Sequence, residues 1–529
     1  MNRARKESGC GSHESLPMKH LALILALLGI STACLPAKEP KRPNILFILA
    51  DDQSYKTVAC YPESFPGVRT PNIDALAKTG VRFHAAYLGS WCMPSRATLL
   101  TGRQPHAIES MSMAGAYPGS MYDAKQCPFI PAQMRQQGYQ TAQIGKWHTG
   151  TDAGWGRDWD YQVVWNRPKH PENAGAYYER QLLAFNGEER WQDGYPCDNY
   201  TQWACEYIKG ANRDAEKPWY LWLCYGNIHG PNKPAERHAG VYAKLDVPIP
   251  ADIFGPRPGK PAYLDKTQAW VRGEDGLPYA GKNEGQQIGD EGIAPKDGKR
   301  IGVPFIEWAR RVNECVLPLD EGVGQLVEAL KESGQLENTF VVYTADQGFA
   351  MGEHGFRAKL APYDANYRSP LIVSMPSRFP SGAVCKTPVS GADLAATFLA
   401  ISGVKVPWAI HGRDITPLLR APDAPDSKPC FYEHMGQRYG KDVKAILAGE
   451  KDKGGDKNFP AYVAVVQDGV KFIHYLRREH GEELYDLAAD PEELNNLIHD
   501  PRQSARIEVF RAALIAECKR TEAPFELQP

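Results

Sequence analysis

Four apolar runs in this chain each end in a cluster of polar, reactive residues, and that regularity constrains the fold more than any other feature. Asn44-Ile45-Leu46-Phe47-Ile48-Leu49 leads through Ala50 to Asp51-Asp52. Tyr139 to Ile144 ends at Gly145-Lys146-Trp147-His148, Trp219 to Tyr225 at Asn227-Ile228-His229, and Thr339 to Thr344 at Asp346. Short, apolar runs of this kind read as strands buried on both faces, as in a parallel sheet. Helical segments lie between them. Thr70-Pro71 opens one that Gly80 closes, with a cap, a proline in the first turn and a glycine past the end. Glu307 to Lys331 reads as a further helical segment, stopped near Gly334. Strand and helix in alternation make a βαβ sheet. Ligands of open α/β sheets bind beyond the carboxyl ends of the strands, so the four clusters are predicted to converge on one site. Turns are polar in any protein and one such cluster would say little; Asp-Asp, Lys/His, His and Asp in four equivalent places say more.

At 529 residues the chain exceeds one ordinary core, and the size prior gives about two to four domains. A formal net charge of −2 gives no basic stripe for a nucleic-acid partner. Met18-Lys19-His20, the apolar LALILALLGIS and Thr32-Ala33-Cys34 follow one another in the order of a secretory signal. Residues 1–33 are therefore expected to be a signal region, with Met18 as an alternative start, and the protein to be exported. The apolar run is too short to span a bilayer comfortably. Cys34 is either the lipidated cysteine of a membrane-anchored lipoprotein or an ordinary residue of a periplasmic or secreted protein; Ser31 stands where a lipoprotein signal usually has Leu. Of the twelve cysteines, Cys10 and Cys34 lie in or beside this region, and none forms a CxxC pair of the zinc kind. Cys197 and Cys205 are close enough in sequence to be weighed as a disulfide.

Gly230 to about Pro304 is rich in Pro, Gly and charge with little periodicity, and reads as a long excursion over the site. The character changes after about Pro429. Ala461 to Val466 and Val470 to Tyr475 flank Gln467-Asp468-Gly469, a hairpin signal. Glu483 to Leu487 reads as a further strand and Ser504 to Cys518 as a helix, so residues 429–529 are expected to form a smaller α+β subdomain with an antiparallel sheet.

The most specific motif is Cys92-Met93-Pro94-Ser95-Arg96, continued by Ala97-Thr98-Leu99-Leu100-Thr101-Gly102-Arg103. It resembles the C-x-P-S-R and A-x-L-x-T-G-R run of the type I, formylglycine-dependent sulfatases. The likeness covers most of residues 43–420, the expected catalytic domain, with a weaker echo beyond. His411-Gly412-Arg413-Asp414-Ile415-Thr416-Pro417-Leu418-Leu419 resembles the segment that closes the family's large domain. Leu484-Tyr485-Asp486-Leu487, with Asp490-Pro491 and Glu493 to Leu497, resembles its C-terminal motif. The resemblance implies an alkaline phosphatase-like fold: a large mixed, mostly parallel β-sheet flanked by helices. It implies that Cys92 is converted by a formylglycine-generating maturation enzyme to 3-oxoalanine and hydrated to a gem-diol. One hydroxyl would attack the sulfur of a sulfated carbohydrate, and the other would expel sulfate from the sulfo-enzyme by re-forming the aldehyde. A helix beginning near Pro94 would put residue 92 at a positive helix end.

Asp51, Asp52, Asp346 and Gln347 offer three carboxylates and an amide oxygen at strand ends, which suit a hard cation. The resemblance favours Ca2+ over Mg2+, with modified Cys92 as a further ligand. Gln347 departs from the family's usual Asn, keeping the carbonyl on a longer stem. Gly145-Lys146-Trp147-His148, His229-Gly230-Pro231 and Lys359 with Tyr363-Asp364 and Arg368-x-Pro370 resemble the family's remaining motifs, with Thr149 in place of Leu. They imply that Arg96 and Lys146 hold the formylglycine hydroxyls. His148 would assist aldehyde re-formation, His229 and Lys359 would bind sulfate, and His229 would protonate the leaving oxygen from near-neutral pKa. The metal set alone is also compatible with a phosphatase or phosphonate-ester hydrolase; the intact C-x-P-S-R motif with Lys146, His148 and Lys359 tilts against that reading. Trp91, His106, Trp155, Trp165, Asn232 and Lys233 lie near the motifs and are weighed as substrate-facing or as core residues.

Overall fold

The computed structural model describes residues 42–108, 112–113, 120–121, 123–281, 302–436, 459–524 and 527. The signal region, Cys10 and Cys34 lie outside these residues.

Eleven strands form the large sheet. In chain order they are β1 (Asn44–Ala50), β2 (Val81–Tyr87), β3 (Gln140–Trp147), β4 (Tyr161–Asn166), β5 (Gln181–Phe185), β6 (Glu188–Gln192), β7 (Trp219–Cys224), β8 (Thr339–Ala345), β9 (Arg368–Ser374), β10 (Ala383–Cys385) and β11 (Val389–Ser390). Their spatial order is β10-β2-β9-β8-β1-β7-β3-β4-β5-β6, with β11 beside β2. The four apolar runs of the sequence are the adjacent strands β8, β1, β7 and β3, all parallel. β9 runs antiparallel to both β8 and β2, and β5 and β6 are antiparallel additions at the far edge. The sheet is thus mixed and mostly parallel.

β1 shows why its sequence does not alternate. Leu46 and Ile48 enter one core, and Ile45, Phe47 and Leu49 enter the core on the opposite face. Both faces are covered by helices: α1 (Pro71–Lys78), α2 (Cys92–Thr101), α3 (Pro196–Ile208), α4 (Phe305–Glu314), α5 (Leu317–Glu332) and α6 (Gly391–Ser402). Each fully buried Leu, Ile or Phe contributes about 1.5–3 kcal/mol, so the middle strands are the sheet's strongest anchor. α2 ends at Gly102 in the left-handed region (φ 72°), whose N–H bonds the Thr98 carbonyl. The expected helix from Glu307 to Lys331 is two helices. The chain breaks at Cys315-Val316, and Pro318 sits in the first turn of α5, where its missing N–H is harmless. Cys197 and Cys205 do not pair. Both lie on α3 and are free; eight residues at helical rise separate them by about 12 Å, beyond the roughly 7 Å a disulfide spans.

The described part of the Gly230–Pro304 excursion holds a short helix, Tyr263–Lys266, and a hairpin of Trp270–Arg272 with Pro278–Ala280. The C-terminal sheet is antiparallel, in the order β12 (Cys430–His434), β13 (Tyr462–Gln467), β14 (Val470–Tyr475) and β15 (Glu482–Asp486). Asp468 and Gly469 turn its hairpin at φ 50° and 74°, the type I′ geometry that matches strand twist. Val463 and Val465 of β13 pack under the terminal helix α7 (Ser504–Arg520), in a cluster that also takes Trp91, Met93 and Ala97 around the start of α2. Tyr462, Ala464 and Val466 face the other way, against Phe356, Tyr363 and Tyr367.

His106 belongs to this junction and not to a substrate surface. Its Nδ1 lies 2.7 Å from Glu433 and its Nε2 2.8 Å from the Thr521 carbonyl, all buried. Burial alone would lower its pKa, but the charge and hydrogen bond of Glu433 and the Thr521 carbonyl raise it. A histidine raised on folding stabilises the fold fully below its unfolded pKa of about 6.5, and this contribution is lost as pH rises through the folded value. His106→Gln is therefore expected to cost about 2 kcal/mol near pH 5.5 and progressively less toward pH 9. Thermal midpoints of both proteins across that range check this; a pH-independent difference would contradict it.

Candidate active site

The four strand ends and the start of α2 meet at one point. Cys92 is the first residue of α2 and is buried. Its Sγ lies 3.4 Å from Asp51 Oδ1, 3.8 Å from Asp52 Oδ1, 3.7 Å from Gln347 Nε2 and 3.0 Å from Lys359 Nζ. Asp51 and Asp52 directly follow β1, and Asp346 and Gln347 directly follow the neighbouring β8. The Asp52 N–H donates to Asp346 Oδ1 at 3.1 Å. Asp52 itself adopts φ 59°, in the left-handed region that non-glycine residues enter mainly at turns.

Cations interleave with these carboxylates. Arg96, one turn along α2, donates through Nε and Nη2 to Asp346 Oδ2 at 3.1 and 2.8 Å, and Nη2 lies 3.6 Å from Asp51. Lys146, the next-to-last residue of β3, donates to Asp51 Oδ2. Lys359 donates to both oxygens of Asp52, at 2.7 and 3.0 Å. His229 donates Nδ1–H to the Gly230 carbonyl at 2.9 Å, which turns Nε2 toward Asp52 Oδ2 at 3.5 Å. His148, the residue after β3, is buried, with Nδ1 3.3 Å from Arg167 Nη1 and the ring edge-on to Trp91.

This arrangement sets the ionisation. Burial would raise the Asp51 carboxyl, but Lys146, then His229, Arg96 and Lys359, hold it well below the usual range. Burial and the Asp51 charge push Asp346 up to about 7, against Arg96. Burial and Asp51 push the Cys92 thiol up to about 12, so the thiol is protonated at neutral pH. Burial lowers His229 to about 4, opposed by Asp52, and burial with Arg167 holds His148 well below its usual value. A near-neutral general acid at His229 is therefore not what the bare site gives: desolvation keeps the ring neutral.

The donor set fits a hard divalent cation. Asp51, Asp52, Asp346 and Cys92 each offer an atom within 4.8 Å of the others, all buried. Gln347 reaches the same point, its Nε2 donating to Asp52, while its Oε1 is buried with no hydrogen-bond partner. Turning the amide by 180° brings that oxygen to the carboxylate side. Three carboxylates and an amide oxygen are oxygen donors of the calcium and magnesium kind.

The motifs did not point to three residues that shape the site. The Tyr177 ring lies parallel to His229, with centroids 4.1 Å apart, and Lys146 Nζ lies 5.3 Å over the same ring. Arg167 lies over the Tyr177 ring at 5.0 Å while reaching His148. Tyr178 donates to the His229 carbonyl at 2.5 Å. Nothing local marks them, since a Tyr-Tyr pair in a loop reads as ordinary core. Of the residues weighed as substrate-facing, Trp165 is fully buried against Tyr177. Asn232 braces the His229 loop by donating to the Ile228 carbonyl and accepting from Trp308. Lys233 is exposed in an ion pair with Glu179. Trp155 is 42% exposed beside a cavity of about 280 Å³ lined also by Asp152, Asn166 and Lys169.

A family model described as Sulfatase matches residues 43–404, and one described as N-sulphoglucosamine sulphohydrolase, C-terminal, matches residues 352–520. An N-acetylglucosamine-6-O-sulfatase of Bacteroides thetaiotaomicron is 28% identical over 90% of this chain and 86% of its own length. Human arylsulfatase A is 26% identical over the same shares. A solved complex of an enzyme with its substrate D-glucosamine-2-N,6-O-disulfate superposes with a TM-score of 0.75 at 25% identity, covering 92% of this chain and 99% of that one. The phosphonate monoester hydrolase of Agrobacterium radiobacter shares the fold, with a TM-score of 0.63 at 20% identity and coverage of 92% and 100%.

Proposed function

This chain belongs to the sulfatase family and is a sulfatase; from that premise we propose that it removes sulfate from a sulfated carbohydrate, with residue 92 acting as hydrated formylglycine. One observation carries the finer reading. Cys92 sits at a helix start among three carboxylates and the cations Arg96, Lys146 and Lys359, a setting that suits an oxygen nucleophile held beside a hard cation. In this reading Sγ stands in for a hydroxyl oxygen of the gem-diol.

In this reading the sulfate group enters between residue 92, Lys359 and His229, its charge met by Lys359 and Lys146. The hydroxyl facing Asp51 passes its proton to the Asp51 carboxylate and bonds to sulfur. The bond from sulfur to the sugar oxygen breaks, and that oxygen takes a proton from His229; the bound anion favours the imidazolium that burial alone disfavours. The second hydroxyl then passes its proton to His148, the carbon–oxygen bond to sulfate breaks, and the aldehyde re-forms for rehydration. Arg96 fixes Asp346 and Lys146 fixes Asp51 throughout. Asp51, Asp52, Asp346, Gln347 and residue 92 would hold the cation, Ca2+ in preference to Mg2+, which when bound neutralises sulfate oxygens and acidifies the attacking hydroxyl. Export, processing near residue 33, a catalytic domain over 43–420 and a subdomain over 429–529 complete the proposal. No helix among the described residues is long and apolar enough to cross a membrane.

The test uses protein exported by a host with the maturation enzyme. N-acetylglucosamine 6-sulfate and glucosamine 2-N,6-O-disulfate come first, because the relatives act on or bind such sugars. Aryl sulfate is compared with aryl phosphate and phosphonate. Faster turnover of the phosphorus esters would replace the proposal with the phosphonate-hydrolase reading.

Tyr177→Leu gives a sharper check of the role of His229. Without its stacking partner the imidazole loses its orientation, and kcat on a sugar sulfate is expected to fall about 10- to 100-fold. The loss should be smaller for nitrophenyl sulfate, whose leaving oxygen needs no proton. Equal losses on both substrates would show that Tyr177 does not act through the general acid.

A further inference from the structure

The stretch that carries Lys359 is held from outside. Residues 356–362 form neither helix nor strand, and Leu360 adopts φ 87°, costly for a bulky side chain and kept only where surroundings impose it. The clamps come largely from the C-terminal sheet. Tyr462 of β13 donates its hydroxyl to the Leu360 carbonyl at 2.7 Å. Tyr432 of β12 and Lys471 of β14 donate to the Pro362 carbonyl at 2.6 and 3.3 Å. Lys471 also reaches Asp364 at 2.5 Å, and Glu493 accepts from the Asp364 N–H at 2.6 Å.

A second tie runs to the nucleophile. The Leu360 N–H donates to the carbonyl of Ser90, two residues before Cys92. Ser90 Oγ meets Nδ1 of His434, the last residue of β12, at 3.1 Å. His434 and Tyr462 are cross-strand partners in register. One pair of side chains on the C-terminal sheet therefore fixes the two backbone stretches that bring Lys359 Nζ to 3.0 Å from Cys92 Sγ.

We propose that Tyr462 and His434 are positioning residues that set the distance between Lys359 and the nucleophile, making the C-terminal sheet part of the catalytic apparatus. The inference rests on the sulfate-binding role read for Lys359. A displacement of about 1 Å of such a group lowers turnover by up to 10²-fold, and no residue of β12 or β13 has to touch substrate for this to happen.

The test is a double-mutant cycle between Tyr462→Phe, which removes one hydroxyl and keeps the packed ring, and Lys359→Ala. Tyr462→Phe alone is expected to lower kcat/KM about tenfold and to weaken inhibition by inorganic sulfate by a similar factor, with little change in thermal midpoint. In the Lys359→Ala background it should change kcat/KM less than about twofold. Tyr432→Phe goes through the same cycle if Tyr462→Phe does not fold. An unchanged kcat/KM, an equal loss in both backgrounds, or a fall in thermal midpoint alone would overturn the inference. If Lys359→Ala itself leaves turnover intact, the sulfate-binding reading of Lys359 fails first, and the inference falls with it.

Discussion

Cys92→Ala is expected to abolish sulfate-ester turnover, with a loss of at least about 10³-fold in kcat, because nucleophiles that act as a unit with their partners leave only residual catalysis when removed. The fold should survive, since Sγ contributes contacts to Asp51, Asp52, Gln347 and Lys359 and no disulfide. Cys92→Ser separates the two hydroxyl roles. One hydroxyl can attack sulfur, but no second hydroxyl remains to expel sulfate. This variant should release one equivalent of sugar and stop, carrying the mass of one SO3 on residue 92. The unsubstituted protein, matured in a competent host, should show a peptide about 18 Da lighter than the thiol form. An active protein with an intact thiol would remove residue 92 as a formylglycine and leave the mechanism above without its nucleophile.

Much of this site could be read from sequence because its three carboxylates, Gln347, Lys146 and His229 lie at or just beyond the ends of strands whose apolar pattern is unmistakable. β1, β3, β7 and β8 are buried on both faces, so their runs end where the polar residues begin. Parallel neighbours then bring the ends together without further information. The rest depends on contacts between residues far apart in the chain. Tyr177 matters because it stacks on His229, and Arg167 because it meets His148; neither relation has a period or spacing. His434 and Tyr462 act across more than 70 residues from the segment they hold. The break between α4 and α5 leaves no gap in the apolar periodicity, and only Pro318 marks the new first turn. Cys197 and Cys205 are close in sequence but not in space, because both lie on one helix that spaces them apart.

Exhaustive chelation is expected to inactivate the enzyme and to lower its thermal midpoint, and Ca2+ should restore both at lower concentration than Mg2+. The reason is the charge pattern. Asp51, Asp52 and Asp346 converge in a buried site, and burial with the Asp51 charge pushes Asp346 up to about 7. A divalent cation among them relieves that repulsion and binds the folded state alone. At one hundred times its Kd such a ligand stabilises by about 2.7 kcal/mol. In the proposed reading the flexible oxygen shell of Ca2+ would accept the long-stemmed Gln347 more readily than the tight octahedron of Mg2+ would. Asp51→Asn carries the argument to a single residue. It removes one negative charge from the point where Lys146, Arg96 and Cys92 meet, and leaving buried cations short of a partner costs about 3–5 kcal/mol. This variant should lose at least about 10³-fold in kcat and its thermal midpoint should no longer respond to Ca2+ or chelator. Calorimetric titration of the apo protein gives the stoichiometry directly, one ion per chain. A thermal midpoint that chelation leaves unchanged, with activity intact, would show that the three carboxylates are balanced by Arg96, Lys146 and Lys359 alone, and that these cations carry the electrostatic stabilisation assigned to the metal.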